Sequence, residues 1–154
     1  MAIGVVTLFV LVPAILVITQ SRTQAASTVL TILDGQAAVA RGAADFVPGR
    51  DGDLLNGGDR VRTDAASHAL VTFFDGSTIE LEPSTTLTVE DASANGNAIS
   101  IRISQAVGRT WASVHKLIDR NSRFELKTPT STAASATNAD GTVNWKYASA
   151  GTIA

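Results

Sequence analysis

The 154-residue chain contains no cysteine, so no disulfide can staple it, and that absence fits an oxidising or a reducing compartment equally. Its two histidines, His68 and His115, stand far apart, outside any metal-ligand spacing and beside no nucleophile motif; each is expected to be partly buried in a strand. Acidic residues outnumber basic ones by only 14 to 12, and no basic run or aromatic-interleaved patch occurs, which removes the electrostatic footprint of a nucleic-acid binder. Paired acids at catalytic spacing, a Gly-x-Ser-x-Gly elbow, a phosphate loop and a dinucleotide loop are all missing. The expectation is a noncatalytic protein with no cofactor, no metal and no small-molecule substrate. Beyond residue 22 no segment repeats its apolar residues at a 3.6 period, so helices are not expected in the main body.

One long hydrophobic run is present. From Ala2 to Thr19 the sequence AIGVVTLFVLVPAILVIT carries no charge, and about 20 apolar residues suffice for a helix to cross a hydrocarbon core of roughly 30 Å. Residues 1–22 are therefore expected to form a single transmembrane anchor, with Val5, Leu8, Phe9, Leu11 and Leu16 facing lipid or membrane partners. Pro13 is tolerated in a span whose neighbours satisfy the freed carbonyl. A cleaved signal peptide is the rival, with Thr23-Gln24-Ala25 as the cleavage site, but there is no basic n-region and the apolar run is long for an h-region. Arg22 on the C-terminal flank votes for a cytoplasmic domain. A short anchor followed by a β-rich domain argues instead for an extracytoplasmic one, in the periplasm or at the cell surface, and that is the placement expected.

A polar linker, 23–28, then leads into segments whose apolar residues recur at every second position, the period of half-buried strands. In AISIRISQ, Ile99, Ile101 and Ile103 share one face. The same alternation places Ile79 and Leu81, Leu87 and Val89, Phe124 and Leu126, and Val143, Trp145 and Tyr147 on inward faces. SHALVTFF, residues 67–74, is apolar on both faces and is expected to be a central strand buried on both sides. Asp34-Gly35, Asp75-Gly76 and Asn95-Gly96-Asn97 supply the positive φ angles of hairpin turns. Short antiparallel connections follow, and the fold class expected is an all-β antiparallel sandwich or jelly-roll-like domain over 29–147, with 148–154 as a tail. Residues 41–59, rich in Gly and Pro, and the Ser/Thr/Ala stretch 129–142 read as loops, the second a flexible arm.

The candidate sites are few. Asp51, Asp53 and Asp59 superficially suggest a calcium loop, but Leu55 stands where that loop needs an oxygen ligand, and turn chemistry is preferred. Val61 points to the core, which puts Arg60 and Arg62 on the opposite face, where pairing with Glu80 or Glu82 across strands is expected. Trp111 is expected in the sandwich core. Trp145 and Tyr147 share one face of the last strand, which either completes its own sheet or adds to a neighbour's edge. Arg60, Arg62, Trp145 and Tyr147 are the candidate partner-binding residues.

Along the chain, LDGQAAVARG, DLLNGGDRVRT, SHALVTFFDGSTIELEPSTTLTV, ISIRISQAVGRTWASV and FELKTPTSTAA follow one another in an order that resembles the FecR domain, an extracytoplasmic β-rich module. The resemblance runs from Val29 to Tyr147. It rests most on the spacing between Leu55 and Thr63 and on the run from Asp75 to Leu87. Members of the best-known kind are transmembrane regulators that hold a sigma factor inside and sense an iron-siderophore receptor outside. Here only Met1 precedes the anchor, and Ala139-Asp140-Gly141-Thr142 lacks the basic residue that family members place before Gly-Thr, so sigma regulation is not carried over. The resemblance implies an anchored module that binds rather than catalyses. Its expected role is an accessory or structural subunit of a larger membrane complex, with an extracytoplasmic sensor and a surface-filament subunit as alternatives.

Overall fold

The computed structural model describes residues 27–115, 117–129, 131–137 and 143–149. The expected anchor, including Val5, Leu8, Phe9, Leu11, Pro13 and Leu16, lies outside the described residues, as does Ala139-Asp140-Gly141-Thr142. Among the described residues no helix is long and apolar enough to cross a membrane.

Thirteen strands make up the described part: β1 (Thr28–Asp34), β2 (Ala37–Ala40), β3 (Val47–Pro48), β4 (Leu54–Leu55), β5 (Arg60–Thr63), β6 (His68–Thr72), β7 (Thr78–Leu81), β8 (Thr86–Asn95), β9 (Ala98–Val107), β10 (Thr110–Ser113), β11 (Arg123–Lys127), β12 (Ser131–Thr137) and β13 (Val143–Ser149). They form a five-stranded sheet, β10-β7-β6-β1-β4, and an eight-stranded sheet, β13-β12-β11-β9-β8-β5-β2-β3. The alternation read from the sequence becomes one shared core. Leu30, Val71, Ile79 and Leu81 come from the first sheet, and Val39, Val61, Leu87, Val89, Ile101, Ile103 and Phe124 from the second. Phe73 meets Phe124 edge to face between the sheets, ring centroids 6.3 Å apart, a geometry aromatic quadrupoles favour.

Several expectations are corrected by the pairing. Gly35, Gly76 and Gly96 all take positive φ, and the last two close true hairpins between β6 and β7 and between β8 and β9. Asp34-Gly35 does not: β1 and β2 lie in different sheets, so this turn carries the chain across the core. β6 is central, between β1 and β7, yet it is buried on one face only. Ala69, Val71 and Phe73 are buried while Leu70 and Phe74 are half-buried, because no further described layer stacks on the outside of the first sheet. The pairing is not wholly antiparallel. β11 runs parallel to β9, with Ile101 opposite Phe124 and Ile103 opposite Leu126. Parallel neighbours need a long crossover, about a dozen residues or more, and the stretch from Gly108 to Ser122, which includes β10 of the other sheet, supplies it.

Residues 41–59 are not all loop, since β3 and β4 form there on the outer edges of β2 and β1. Edge strands this short leave little unpaired backbone for another chain to extend. The Ser/Thr/Ala stretch also holds a strand, β12, paired along its length with β11 and with β13. Its side chains carry no strong strand signal, and the ladders on both sides decide its conformation.

Gly108, between β9 and β10, shows how tightly the crossing is fastened. Thr85 Oγ1 lies 3.0 Å from both the Arg109 amide, from which it accepts, and the Arg109 carbonyl, to which it donates. Thr85 in turn donates its own N–H to Thr63 Oγ1 at 3.0 Å. With φ at +95°, Gly108 presses so close that a Cβ would sit 2.3 Å from Thr85 Oγ1 and 2.5 Å from Thr85 Cα. Gly52 has a similar φ of +83° with open space around it. Gly52→Ala is therefore expected to cost only backbone strain, about 1–3 kcal/mol, and Gly108→Ala more than that, because the Thr85 backbone must also move. Urea unfolding of the two variants measures the difference, and equal losses would refute the close contact.

Candidate functional site

The turn that leads into β5 is assembled by one buried carboxylate. Asp59, at the start of β5, is only 4% exposed. It accepts hydrogen bonds from Arg41 Nη1 at 2.6 Å, from the Asn56 amide at 2.9 Å and from the Gly42 amide at 3.2 Å. Its own backbone joins β8 through Val89 N–H to Asp59 O at 2.9 Å. Burial alone would raise its pKa, but the Asn56 amide, the Arg41 guanidinium and the Gly42 amide together favour the charged form and hold it below the ordinary 3.8. The neighbouring acids also serve turns: Asp51 accepts from the Ile32 amide and Asp53 from the Arg50 amide. Among the described residues no three His, Cys, Asp or Glu side chains are grouped to hold a metal ion.

With residues 41–59 folded this way, Phe46 is laid over the outer face of the second sheet. The Arg60 and Arg62 guanidinium carbons lie 5.0 and 4.5 Å from its ring centroid. Both arginines are indeed opposite Val61, between Ala40 and Ala38 of β2 and Thr88 and Thr86 of β8. They do not pair with Glu80 or Glu82, which belong to the other sheet. Phe46 replaces those carboxylates, each cation–π contact contributing about 0.5–1 kcal/mol at an exposed site. Arg60 Nη2 donates to the Ala44 carbonyl at 2.7 Å, and its Nε is buried without a hydrogen-bond partner. Arg62 is exposed, and among the described residues its guanidinium makes no hydrogen bond or ion pair. Phe46 was missed because nothing in the stretch ADFVPG points to arginines 14 and 16 positions later.

Farther along the same sheet, Arg123, Glu125 and Lys127 share the face opposite Phe124. Glu125 is only 4% exposed, paired with Arg123 and, at 3.5 Å, with Lys127; Lys127 also approaches Glu90 at 3.8 Å. The period-2 spacing of R-x-E-x-K was a legible signal for this row. Trp145 and Tyr147 lie on β13, opposite Ser135 and Ala133 of β12. That strand completes its own sheet. β8, β9, β11 and β12 stand between it and β5, so the structure does not bring the two pairs of candidate residues together.

Trp111 is not in the core. It lies on β10 at the edge of the first sheet, 57% exposed, with Nε1 donating to Glu82 Oε1 at 3.0 Å. A strand this close to the sheet edge has no opposing layer to cover a ring of that size. His68 is half-buried at the start of β6, as expected, whereas His115 is exposed and beyond the end of β10. His115 borders a cleft of about 580 Å³ with Phe74, Ile99, Leu117, Ile118 and Asp119. The carboxylates of Asp75 and Asp119 beside it are bonded to the Ser77 and Asn121 amides, each two residues on.

Two facing sheets, turn-bound acids and a partly exposed arginine–aromatic cluster make up the described domain. The family model described as FecR protein matches residues 59–151, well over half of the chain, and the chain belongs to the FecR family. No curated protein matches it, and no solved structure does.

Replacing Asp59 by Asn removes the charge but keeps the shape, and a loss of about 1.5–3 kcal/mol is expected, the value of hydrogen bonds to a charged group. Because the folded pKa is lowered, the carboxylate's contribution is fully present above the unfolded value and is lost as pH falls through the folded one. Denaturation midpoints followed from neutral into acid should therefore drop more for the native chain than for Asp59→Asn. Parallel curves would show that Asp59 is not protonated in that window.

Proposed function

We propose that the chain is a noncatalytic, membrane-anchored member of the FecR family. Its β domain works outside the cytoplasm as an accessory or structural subunit of a larger membrane complex. The observation that carries this reading is the Phe46–Arg60–Arg62 cluster. Arginine and aromatic side chains are what protein interfaces concentrate at their centres, and here one guanidinium is preset on a ring with its donors uncommitted. The family supports an extracytoplasmic, regulatory setting, and the uncharged stretch Ala2 to Thr19 supports the tether. A second reading, a sensor that passes an outside signal through the membrane, is favoured by that family membership and needs a separate inner partner.

Extraction of native membranes in mild detergent, affinity isolation and mass spectrometry test the proposal on three forms: the intact chain, a chain lacking residues 2–19, and Arg62→Glu. Membrane proteins should co-purify with the intact chain, disappear with the deletion and fall several-fold with the charge reversal. Recovery of the chain alone, or as a homopolymer, would refute the accessory role.

A further inference from the structure

The most exposed large apolar side chain described is Ile118, 87% accessible, and its position relative to the chain's entry is informative. Val29, Thr72, Thr78 and Ser113 lie in one row across the first sheet. The start of β1, the β6–β7 turn and the exit of β10 therefore sit at the same end of the two-sheet body. At strand spacings of about 4.8 Å, β1 and β10 are separated there by only about 14 Å. The second sheet contributes the tip of its β8–β9 hairpin to the same end, since the cleft is lined by Phe74 and Asp75 together with Ala94, Gly96, Asn97 and Ile99. Apolar side chains thus gather where the described chain begins.

We infer that this end rests on a phospholipid bilayer, with Ile118 inserted at the level of the head groups. The inference depends on the reading of residues 2–19 as a membrane span. Only eight residues, Gln20 to Ser27, separate that stretch from β1, and they reach at most about 29 Å when fully extended. The start of β1 therefore lies no more than about 29 Å from the end of that span, so the end that carries Ile118 is within reach of the membrane surface. The local chemistry suits that surface: Arg120, two residues beyond Ile118, is exposed, and a basic residue near an apolar one favours anionic lipid interfaces. Leu117 points the other way and is buried in the core at 1% exposure, which fixes the segment so that Ile118 faces outward. The span cannot itself fill the cleft while it crosses the bilayer, and the surface that the span brings within reach is the lipid.

The absence of cysteine makes the test direct. Ile118→Cys and, at the opposite end, Val107→Cys, itself 59% exposed, are each labelled with an environment-sensitive fluorophore in the full chain. The labelled chains are then reconstituted into nanodiscs of phosphatidylcholine and phosphatidylglycerol. Both sites are exposed, so matching melting curves with the unlabelled chain are expected. The label at 118 should shift to the blue and be quenched several-fold more by lipid-borne nitroxide than by aqueous iodide, with the reverse at 107. If the chain stays in the disc but iodide quenches both labels alike, the bilayer contact is overturned and the anchor stands. If neither quencher reaches the label at 118, protein covers this end and the contact is equally overturned. If the chain fails to enter the discs, the anchor reading fails and takes the contact with it.

Discussion

The arrangement depends on the charge of Asp59 held inside a turn. Its carboxylate closes the end of β2 through Arg41 and Gly42 and the end of β4 through Asn56, while its main chain is stitched to β8. These elements belong to both sheets. The carboxylate fastens both ends of the long connection 41–59, whose middle is held by main-chain bonds to Leu30 and Ala37 and by the bond from Arg60 to the Ala44 carbonyl. A fastening of a related kind joins Thr63, Thr85 and Arg109 near the crossing from β9 to β10, where hydroxyl groups take the place of a charge.

Such fastenings are needed because of how the chain is routed. Hairpins register themselves through their turn, and β6–β7 and β8–β9 need little else. Other passages switch sheets instead, among them those from β1 to β2, from β4 to β5 and from β9 through β10 to β11, and no ladder runs across the core to hold them. Buried polar groups bonded to main-chain amides do that work at these points. Their desolvation is offset by the number of bonds each one makes.

Surface chemistry follows from the same routing. The outer face of the second sheet carries two distinct textures: an arginine pair on an aromatic ring near β5, and an alternating Arg123–Glu125–Lys127 row on β11 whose charges satisfy one another. Among the described residues the Arg62 guanidinium makes no hydrogen bond or ion pair, whereas the charges of the second texture are paired. One apolar group, Phe74, Ile99 and Ile118, lines a cleft at the end of the body where the described chain begins.

Period-2 patterning was enough to determine several strands and their buried faces, because alternation in a strand is a local property: Ile79, Leu81, Leu87, Val89, Ile101 and Ile103 are buried as their spacing requires. The order of those strands and their turns also sufficed to read the FecR resemblance. Which strand lies beside which was settled only by the tertiary structure. Asp34-Gly35 has the residues of a hairpin yet changes sheets, and a chain of small residues from Ser131 to Thr137 became a strand because β11 and β13 offered it hydrogen bonds. The partner of Arg60 and Arg62 proved to be Phe46 rather than a glutamate, Trp111 lay at an edge rather than in the core, and Ile118 stood beside the chain's entry. Each of these is a long-range proximity, fixed by how two sheets close over one core, and no spacing along the chain encodes it.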